Sequence, residues 1–124
     1  MTKFKVLGEY IARNYRGKVV EVGVGSYYEV AEFLKERGFE VITTDVTPRR
    51  RETLKDDVNR PNLKIYEGAS LIYSIRPPYE IQRSIVELAK KVGCDAIILP
   101  LKGEVIEGGK LVNFRGVSFY VFSR

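Results

Sequence analysis

The sequence contains no histidine and no tryptophan, and Cys94 is its only cysteine. Histidine is the most common general base of enzymes and the most common metal ligand. Its absence argues against Ser-His-Asp hydrolases, Cys-His nucleophiles and zinc hydrolases. A single cysteine excludes a disulfide within the chain and a cluster of cysteines around a metal. We therefore expect no metal site, and we interpret Cys94 as a small buried residue.

Long apolar runs are also missing from the sequence. No window is apolar over enough consecutive residues to cross a bilayer, and the first five residues, Met-Thr-Lys-Phe-Lys, lack the apolar core of a signal peptide. We therefore expect a cytoplasmic protein with no membrane partner. Hydrophobic residues make up 44% of the 124 residues and charged residues 30%, which is typical of a compact protein. Residues 1–124 are predicted to form a single domain.

The charge balance is mildly basic, with 21 Lys and Arg residues against 16 Asp and Glu residues and a net charge of +5. This excess is compatible with RNA or another phosphate-bearing partner. It also fits a solvated surface rich in ion pairs, as in heat-adapted proteins. The three consecutive arginines at positions 49–51 leave the same two interpretations open.

Helix and strand patterns alternate along the chain. Apolar residues at helical spacing predict helices over residues 3–15, 28–37 and 80–92, and apolar runs predict strands over 18–22, 39–45, 70–75 and 95–101. A short strand is expected within 53–57, and 62–69 fits either a short helix or a turn and strand. Residues 111–114 and 117–122 are predicted to form an antiparallel pair joined through Arg115-Gly116. The fold class is therefore α/β, Rossmann-like: a mostly parallel, doubly wound sheet that ends in an antiparallel strand pair.

The most informative segment is residues 19–27, Val-Val-Glu-Val-Gly-Val-Gly-Ser-Tyr, where an apolar strand passes into a helix through Gly23 and Gly25. Glycines at such a turn adopt positive φ and let a ligand approach the main chain. The free N–H groups at the start of the next helix favour polar or anionic ligand groups. A nucleotide-type pocket is the first hypothesis. The alternative is an ordinary turn with a solvent-facing Glu21.

Other polar residues fall where predicted parallel strands end, namely Asp45, Asp57 and residues 76–79. Ligands of doubly wound sheets bind beyond the carboxyl ends of the strands, near the point where the strand order reverses. Asp45 can accept hydrogen bonds from both hydroxyls of a ribose, or it can cap a helix after Pro48.

Glu21, Gly23 and Gly25 resemble motif I of the class I S-adenosylmethionine-dependent methyltransferases, E/D-x-G-x-G-x-G, with Tyr27 in place of the third glycine. The nicotinamide and flavin fingerprint, G-x-G-x-x-G/A, is violated by Tyr28 at its last position. The methyltransferase resemblance implies that Glu21 organises the methionine end of the cofactor.

The same resemblance extends to three further aspartates. It implies that Asp45 holds the ribose, and that Asp56 and Asp57 lie near the adenine amine. The cofactor-binding candidates are therefore Glu21, Gly23, Gly25, Tyr27, Asp45 and Asp57. The aromatic pair at positions 27 and 28 can instead serve as half-buried packing residues.

The run Arg76-Pro77-Pro78-Tyr79 resembles the N/D-P-P-Y/F motif of methyltransferases that act on amino groups. In that motif the first residue accepts hydrogen bonds from the target amine and the aromatic ring stacks on the target. A guanidinium only donates hydrogen bonds, so Arg76 suits a phosphate or carboxylate instead. Arg76 and Tyr79 are the candidates for contact with a substrate; the alternative is a rigid strand end with an exposed arginine.

As a whole, the chain is similar to a small group of archaeal, stand-alone Rossmann-like proteins related to these methyltransferases. The similarity rests on residues 21–25, 56–57 and 71–78 and covers nearly the full length. This similarity implies the fold but no activity. The motif resemblances lead us to expect an S-adenosylmethionine-binding, methyltransferase-like protein of unassigned substrate, for which RNA and protein are candidates. Two alternatives stay open: a non-catalytic cofactor-binding module that assists an RNA-related partner, and an NAD-dependent oxidoreductase. The sequence gives no indication of the oligomeric state.

Overall fold

The computed structural model of the protein describes residues 2–124. Within this range the helices are α1 (Lys3–Asn14), α2 (Glu29–Glu36), α3 (Leu63–Tyr66) and α4 (Tyr79–Val92). The strands are β1 (Lys18–Val22), β2 (Glu40–Asp45), β3 (Leu54–Lys55), β4 (Leu71–Ile75), β5 (Asp95–Leu99), β6 (Lys110–Phe114) and β7 (Val117–Phe122). None of these helices is long and apolar enough to span a membrane.

The seven strands form one sheet in the order β3-β2-β1-β4-β5-β7-β6. Strands β1 to β5 pair in parallel, whereas β7 runs antiparallel to both β5 and β6. The chain moves from β1 toward one edge and then, from β4, toward the other, so the strand order reverses between β1 and β4. The predicted fold class, a mostly parallel doubly wound sheet with a C-terminal antiparallel pair, is confirmed.

Helices cover both faces of the sheet. Side chains of each central strand point alternately to the two faces, so each face carries an apolar cluster that the helices bury. On one face, α1 and α2 bury Leu7, Ile11, Val30 and Leu34 against β1, β4 and β5. On the other face, α3 and α4 bury Tyr66, Ile85, Leu88 and Ala89. Cys94 is buried in this second cluster, as expected. The carboxyl ends of the parallel strands are left between the two layers.

The structure shifts several predicted boundaries. Strand β5 ends at Leu99 instead of residue 101, because Pro100 has no N–H for the ladder. The strand expected within 53–57 has only two residues, and the ambiguous segment 62–69 contains a one-turn helix whose N-cap is Asn62. The Arg115-Gly116 hairpin turn is confirmed; both residues have positive φ, as a two-residue turn between antiparallel strands requires.

Candidate functional site

A turn at the carboxyl end of β1, residues 23–25, exposes main-chain atoms at the switch between β1 and β4. We call it the glycine turn. Gly23 and Gly25 have φ values of 68° and 58°, and the N–H of Gly23 donates to the Thr44 carbonyl at 2.9 Å. A Cβ atom on Gly25 would meet nothing within 4 Å, and one on Gly23 would only reach Ser74 Oγ at 4.0 Å. The glycines are therefore required by backbone conformation, and the space in front of them is open to a ligand.

Asp45 lies directly beside the glycine turn. Its Oδ2 accepts a hydrogen bond from the Gly25 N–H at 2.8 Å, and its Oδ1 accepts one from the Thr47 N–H at 2.9 Å. Each carboxylate oxygen keeps a second lone pair for a further donor. The idea that Asp45 caps a helix after Pro48 is wrong, since residues 46–53 form turns and no helix.

Glu21 is completely buried, so the alternative of a solvent-facing Glu21 is also wrong. In the strand register it stands between Thr43 of β2 and Tyr73 of β4. Neither carboxylate oxygen has a hydrogen-bond partner of standard geometry, and the same is true of the Tyr73 hydroxyl. Burial raises the pKa of Glu21 to about 8, and the nearby Tyr73 hydroxyl opposes that rise only in part.

Beyond Glu21, a chain of hydroxyl groups continues along the same face of the sheet. Thr43 Oγ1 and Thr53 Oγ1 are 2.9 Å apart, and the Tyr28 hydroxyl is 2.6 Å from Thr53 Oγ1. The Arg50 guanidinium lies 3.7 Å from the centroid of the Tyr28 ring. Tyr28 is therefore a buried packing residue with a satisfied hydroxyl. Sequence reasoning missed these hydroxyls because only the strand register brings them into line with Glu21.

Tyr27 lies at the rim of the site. Its side chain is 64% exposed, and its ring packs against Phe4 with centroids 6.2 Å apart. Thr2 Oγ1 donates to Glu29 Oε2 at 2.7 Å, which ties the start of α1 to the start of α2. Residues 2–4 thus lie beside the glycine turn, and nothing in the local sequence pattern predicted this contact.

A second turn, residues 76–78, follows β4 at the same edge of the sheet. We call it the arginine turn. Arg76 has a φ of 51°, which is uncommon for a residue with a side chain, and its N–H donates to the Leu99 carbonyl at 2.7 Å. Its guanidinium lies 5.4 Å from the Phe4 ring centroid and pairs with no acid among residues 2–124. Tyr79, the first residue of α4, is 78% exposed. Both side chains are therefore free to contact a ligand.

The two neighbouring aspartates after β3 differ in their surroundings. Asp56 accepts from the Asn62 N–H at 3.0 Å and from the Tyr66 hydroxyl at 2.6 Å, so both oxygens hold the loop to α3. Burial, and next this contact with Asp56, raise the pKa of Tyr66. Asp57 is exposed, and its Oδ1 accepts from the Asn59 N–H at 2.9 Å. Within residues 2–124, no hydrogen bond joins Asp57 to the glycine turn.

The structure thus brings Glu21, Gly23, Gly25 and Asp45 together, with Tyr27 at the rim and Asp57 on a separate loop. Among the described residues, no group of acidic or cysteine side chains could hold a metal ion. A groove of about 810 Å³ lies elsewhere, between α4 and residues 105–108. Of the candidate residues, Tyr79 lines that groove, and the residues of the glycine turn do not.

The strand order and the glycine turn define a methyltransferase-like Rossmann fold, and solved structures agree. A SAM dependent methyltransferase from Aquifex aeolicus has a TM-score of 0.64 and 18% identity, over 98% of this chain and 88% of that chain. An S-adenosyl-L-methionine methyl transferase from Silicibacter pomeroyi has a TM-score of 0.58 and 16% identity, over 98% and 91% of the two chains. At these identities the likeness establishes the fold.

The chain belongs to the UPF0146 family. Residues 4–124 match the family described as "Uncharacterised protein family (UPF0146)". The UPF0146 protein of Archaeoglobus fulgidus is 55% identical over 122 residues, which cover 95% of this chain and 93% of that protein. The resemblance to an archaeal group related to class I methyltransferases is therefore confirmed.

Proposed function

We propose that the protein binds S-adenosylmethionine at the glycine turn. The observation that carries this proposal is the buried Glu21 carboxylate, whose oxygens have no hydrogen-bond partner of standard geometry and which lies two residues before a turn with open space in front of it. Burying a polar group without a partner costs free energy, and burying a charge costs more. Glu21 would hold the α-ammonium group of the cofactor, directly or through a water molecule, and would gain a positively charged partner.

The remaining residues of the site fit the other parts of such a ligand. The main chain of Gly23 and Gly25 can approach it closely, because no side chain stands in front of the turn. Asp45 keeps lone pairs for the two ribose hydroxyls while it holds the Gly25 N–H. Tyr27 borders the methionine end, and Asp57 is assigned to the adenine amine.

The cofactor, when bound, supplies an electrophilic methyl group. The protein's part in methyl transfer is then chiefly to position the acceptor, because no histidine is available as a base. Arg76 lies in the arginine turn, which follows the strand next to β1, and Tyr79 begins α4; both side chains are exposed. Arg76 would hold a phosphate or carboxylate of the acceptor, and Tyr79 would contact its planar part.

One observation favours a second candidate function. Arg76 occupies the place where an amine-directed methyltransferase needs a hydrogen-bond acceptor, and a guanidinium cannot accept. A domain that binds the cofactor without turnover, and assists an RNA-related partner, needs no such acceptor. The oxidoreductase alternative is disfavoured because Glu21 and the buried Tyr28 depart from the dinucleotide fingerprint.

Isothermal titration calorimetry with S-adenosylmethionine, S-adenosylhomocysteine and NAD tests the proposal. We expect the first two compounds to bind and NAD to fail. Glu21→Gln should weaken binding, whereas Glu40→Gln, an exposed glutamate at the start of β2, serves as the matched control and should not. Absence of binding by both adenosyl compounds would overturn the proposal.

A transfer assay then separates the enzyme from the non-catalytic module. Tritiated-methyl S-adenosylmethionine is incubated with cell extract and the protein, with and without RNase. Label that appears only with the protein supports a methyltransferase, and its sensitivity to RNase identifies RNA as the acceptor. Cofactor binding without any transfer supports the module.

A further inference from the structure

The outer face of α4 carries a symmetric arrangement of charges. Ile85 is fully buried against the sheet, and on the opposite side of the helix lie Glu80, Arg83, Glu87 and Lys90, all exposed. Glu80 and Lys90 are equally far from Ile85 along the helix, and so are Arg83 and Glu87. In each pair the two charges have opposite sign.

These four side chains form no ion pair among residues 2–124, although their spacing along α4 would allow pairs within the helix. Three ion pairs among the described residues lie elsewhere and involve Arg37 and Arg50. The charges of α4 are therefore available to a partner.

The four charges of one α4 helix are complementary to those of a second α4 helix when the two helices run antiparallel. In an antiparallel pair of α4 helices related by a two-fold axis at the level of Ile85, Glu80 faces Lys90 of the second copy. Arg83 then faces Glu87 of the second copy, and the symmetry forms each contact twice. A parallel pair would instead place each charged residue opposite the same residue of the second copy, so like charges would repel. The order of the charges therefore favours the antiparallel arrangement.

Apolar surface lies along one side of the same face. The groove of about 810 Å³ is bounded by α4 and residues 105–108, with Phe122 among its lining residues. Tyr79 and Val105, which also line it, are 78% and 75% exposed. The connection from β5 to β6 forms no helix, and the four charged side chains on the outer side of α4 are exposed. A second α4 can therefore approach this face and cover the exposed apolar side chains.

We propose that two copies of this chain associate through antiparallel α4 helices. The contact is isologous, with an apolar seam from Tyr79 and Val86 beside the charged pairs. It brings the end of the second copy's α4, with its lysines, beside Tyr79 and the arginine turn. This association does not depend on cofactor binding.

Sedimentation equilibrium over micromolar to millimolar protein concentrations tests the proposal. We expect a monomer–dimer equilibrium whose dissociation constant rises with salt, because the pairs are solvent-exposed. Arg83→Glu places like charges opposite each other twice, so it should raise the dissociation constant by at least about tenfold.

The charge-swapped double variant, Arg83→Glu with Glu87→Arg, restores opposite charges across the two-fold axis and should recover the wild-type dissociation constant within about threefold. Glu36→Arg, an exposed glutamate at the end of α2 on the other face of the sheet, is the control and should leave the constant unchanged. Circular dichroism confirms that each variant is folded. A wild type that stays monomeric throughout, or a double variant no tighter than Arg83→Glu, would overturn the proposal.

Discussion

The glycine turn and the arginine turn lie side by side at the carboxyl edge of the sheet, after the neighbouring strands β1 and β4. Both adopt a left-handed backbone, with φ of 58° at Gly25 and 51° at Arg76. In the first turn the missing side chain leaves space for a ligand. The second turn carries a long charged side chain, although a left-handed backbone costs a residue other than glycine about 1–3 kcal/mol. We infer that the glycine turn contacts its ligand through the main chain, and that the arginine turn does so through the Arg76 side chain.

The two turns also differ in what lies beneath them. Below the glycine turn, the Glu21 carboxylate is buried beside the Tyr73 hydroxyl, and neither group has a hydrogen-bond partner of standard geometry. The arginine turn is instead held by the Arg76 N–H, which donates to the Leu99 carbonyl, and by two consecutive prolines. The glycine turn thus lies above a buried polar group that a ligand can pair with. The arginine turn is held in place by the protein itself. The following predictions test this difference, starting with the largest expected effect.

The first prediction concerns stability and pH. Because the pKa of Glu21 rises from 4.5 to about 8 on folding, the folded protein binds a proton that the unfolded chain releases. The contribution of Glu21 to the free energy of unfolding should therefore be largest below pH 4.5. It should be lost as the pH rises to about 8. Each pKa unit corresponds to about 1.4 kcal/mol, so the loss amounts to several kcal/mol. Urea unfolding at pH 5 and pH 9 measures it.

Glu21→Gln removes the titrating group and should flatten this pH dependence, whereas Glu40→Gln should retain the wild-type slope. Equal slopes in the wild type and in Glu21→Gln would show that Glu21 does not titrate over this range. The same pair of variants extends the test to the ligand. A cofactor ammonium near Glu21 lowers its pKa, so binding at pH 7 should release protons, which calorimetry in buffers of different ionisation enthalpy detects.

The second prediction compares the two turns directly. Gly25→Ala puts a Cβ on a left-handed residue and should lower the free energy of unfolding by about 1–2 kcal/mol. It also narrows the approach to the main chain, so cofactor affinity should fall. Arg76→Gly relieves strain but adds freedom to the unfolded chain, so stability should change by less than about 1 kcal/mol.

Cofactor affinity should be unchanged in Arg76→Gly, and any methyl transfer should be lost. Thermal melts and calorimetry on both variants provide the measurements. A loss of cofactor affinity in Arg76→Gly as large as in Gly25→Ala would remove the distinction between the turns.

The third prediction separates the two aspartates assigned to the cofactor. Asp45→Ala removes the acceptor of the Gly25 N–H and the assigned ribose contact, so it should weaken S-adenosylmethionine binding by about 1–3 kcal/mol. Asp57 is exposed and, among residues 2–124, forms no hydrogen bond to the glycine turn, so Asp57→Ala should weaken binding by less than about 1 kcal/mol. Calorimetry ranks the two variants; the reverse order would place the ligand nearer to the loop after β3.

Local patterns in the sequence predicted much of the fold. Strand and helix periodicities located the main elements, and the two glycines with Asp45 marked the sheet edge that carries the candidate site. The burial of Glu21 could not be predicted, because it depends on the register that places Thr43 and Tyr73 on either side. A one-residue change of register would turn these side chains to the other face of the sheet.

The contact between the start of α1 and the arginine turn was also beyond prediction. Phe4 lies far from Tyr27 and Arg76 in the sequence, and only the tertiary packing of α1 brings their side chains together. The same holds for the charges of α4: their spacing is visible in the sequence, but which side of the helix faces solvent is settled by the sheet against which Ile85 packs.

The environment of Cys94 has a practical consequence for spectroscopy. Burial raises the pKa of its thiol to about 11, so at neutral pH it reacts slowly with maleimide dyes. A cysteine introduced at an exposed position, such as Ser26→Cys beside the glycine turn, would therefore be labelled selectively while the natural thiol stays in place. The protein has no tryptophan, so Tyr27→Trp would introduce its sole indole. The fluorescence of this indole would report ligand binding.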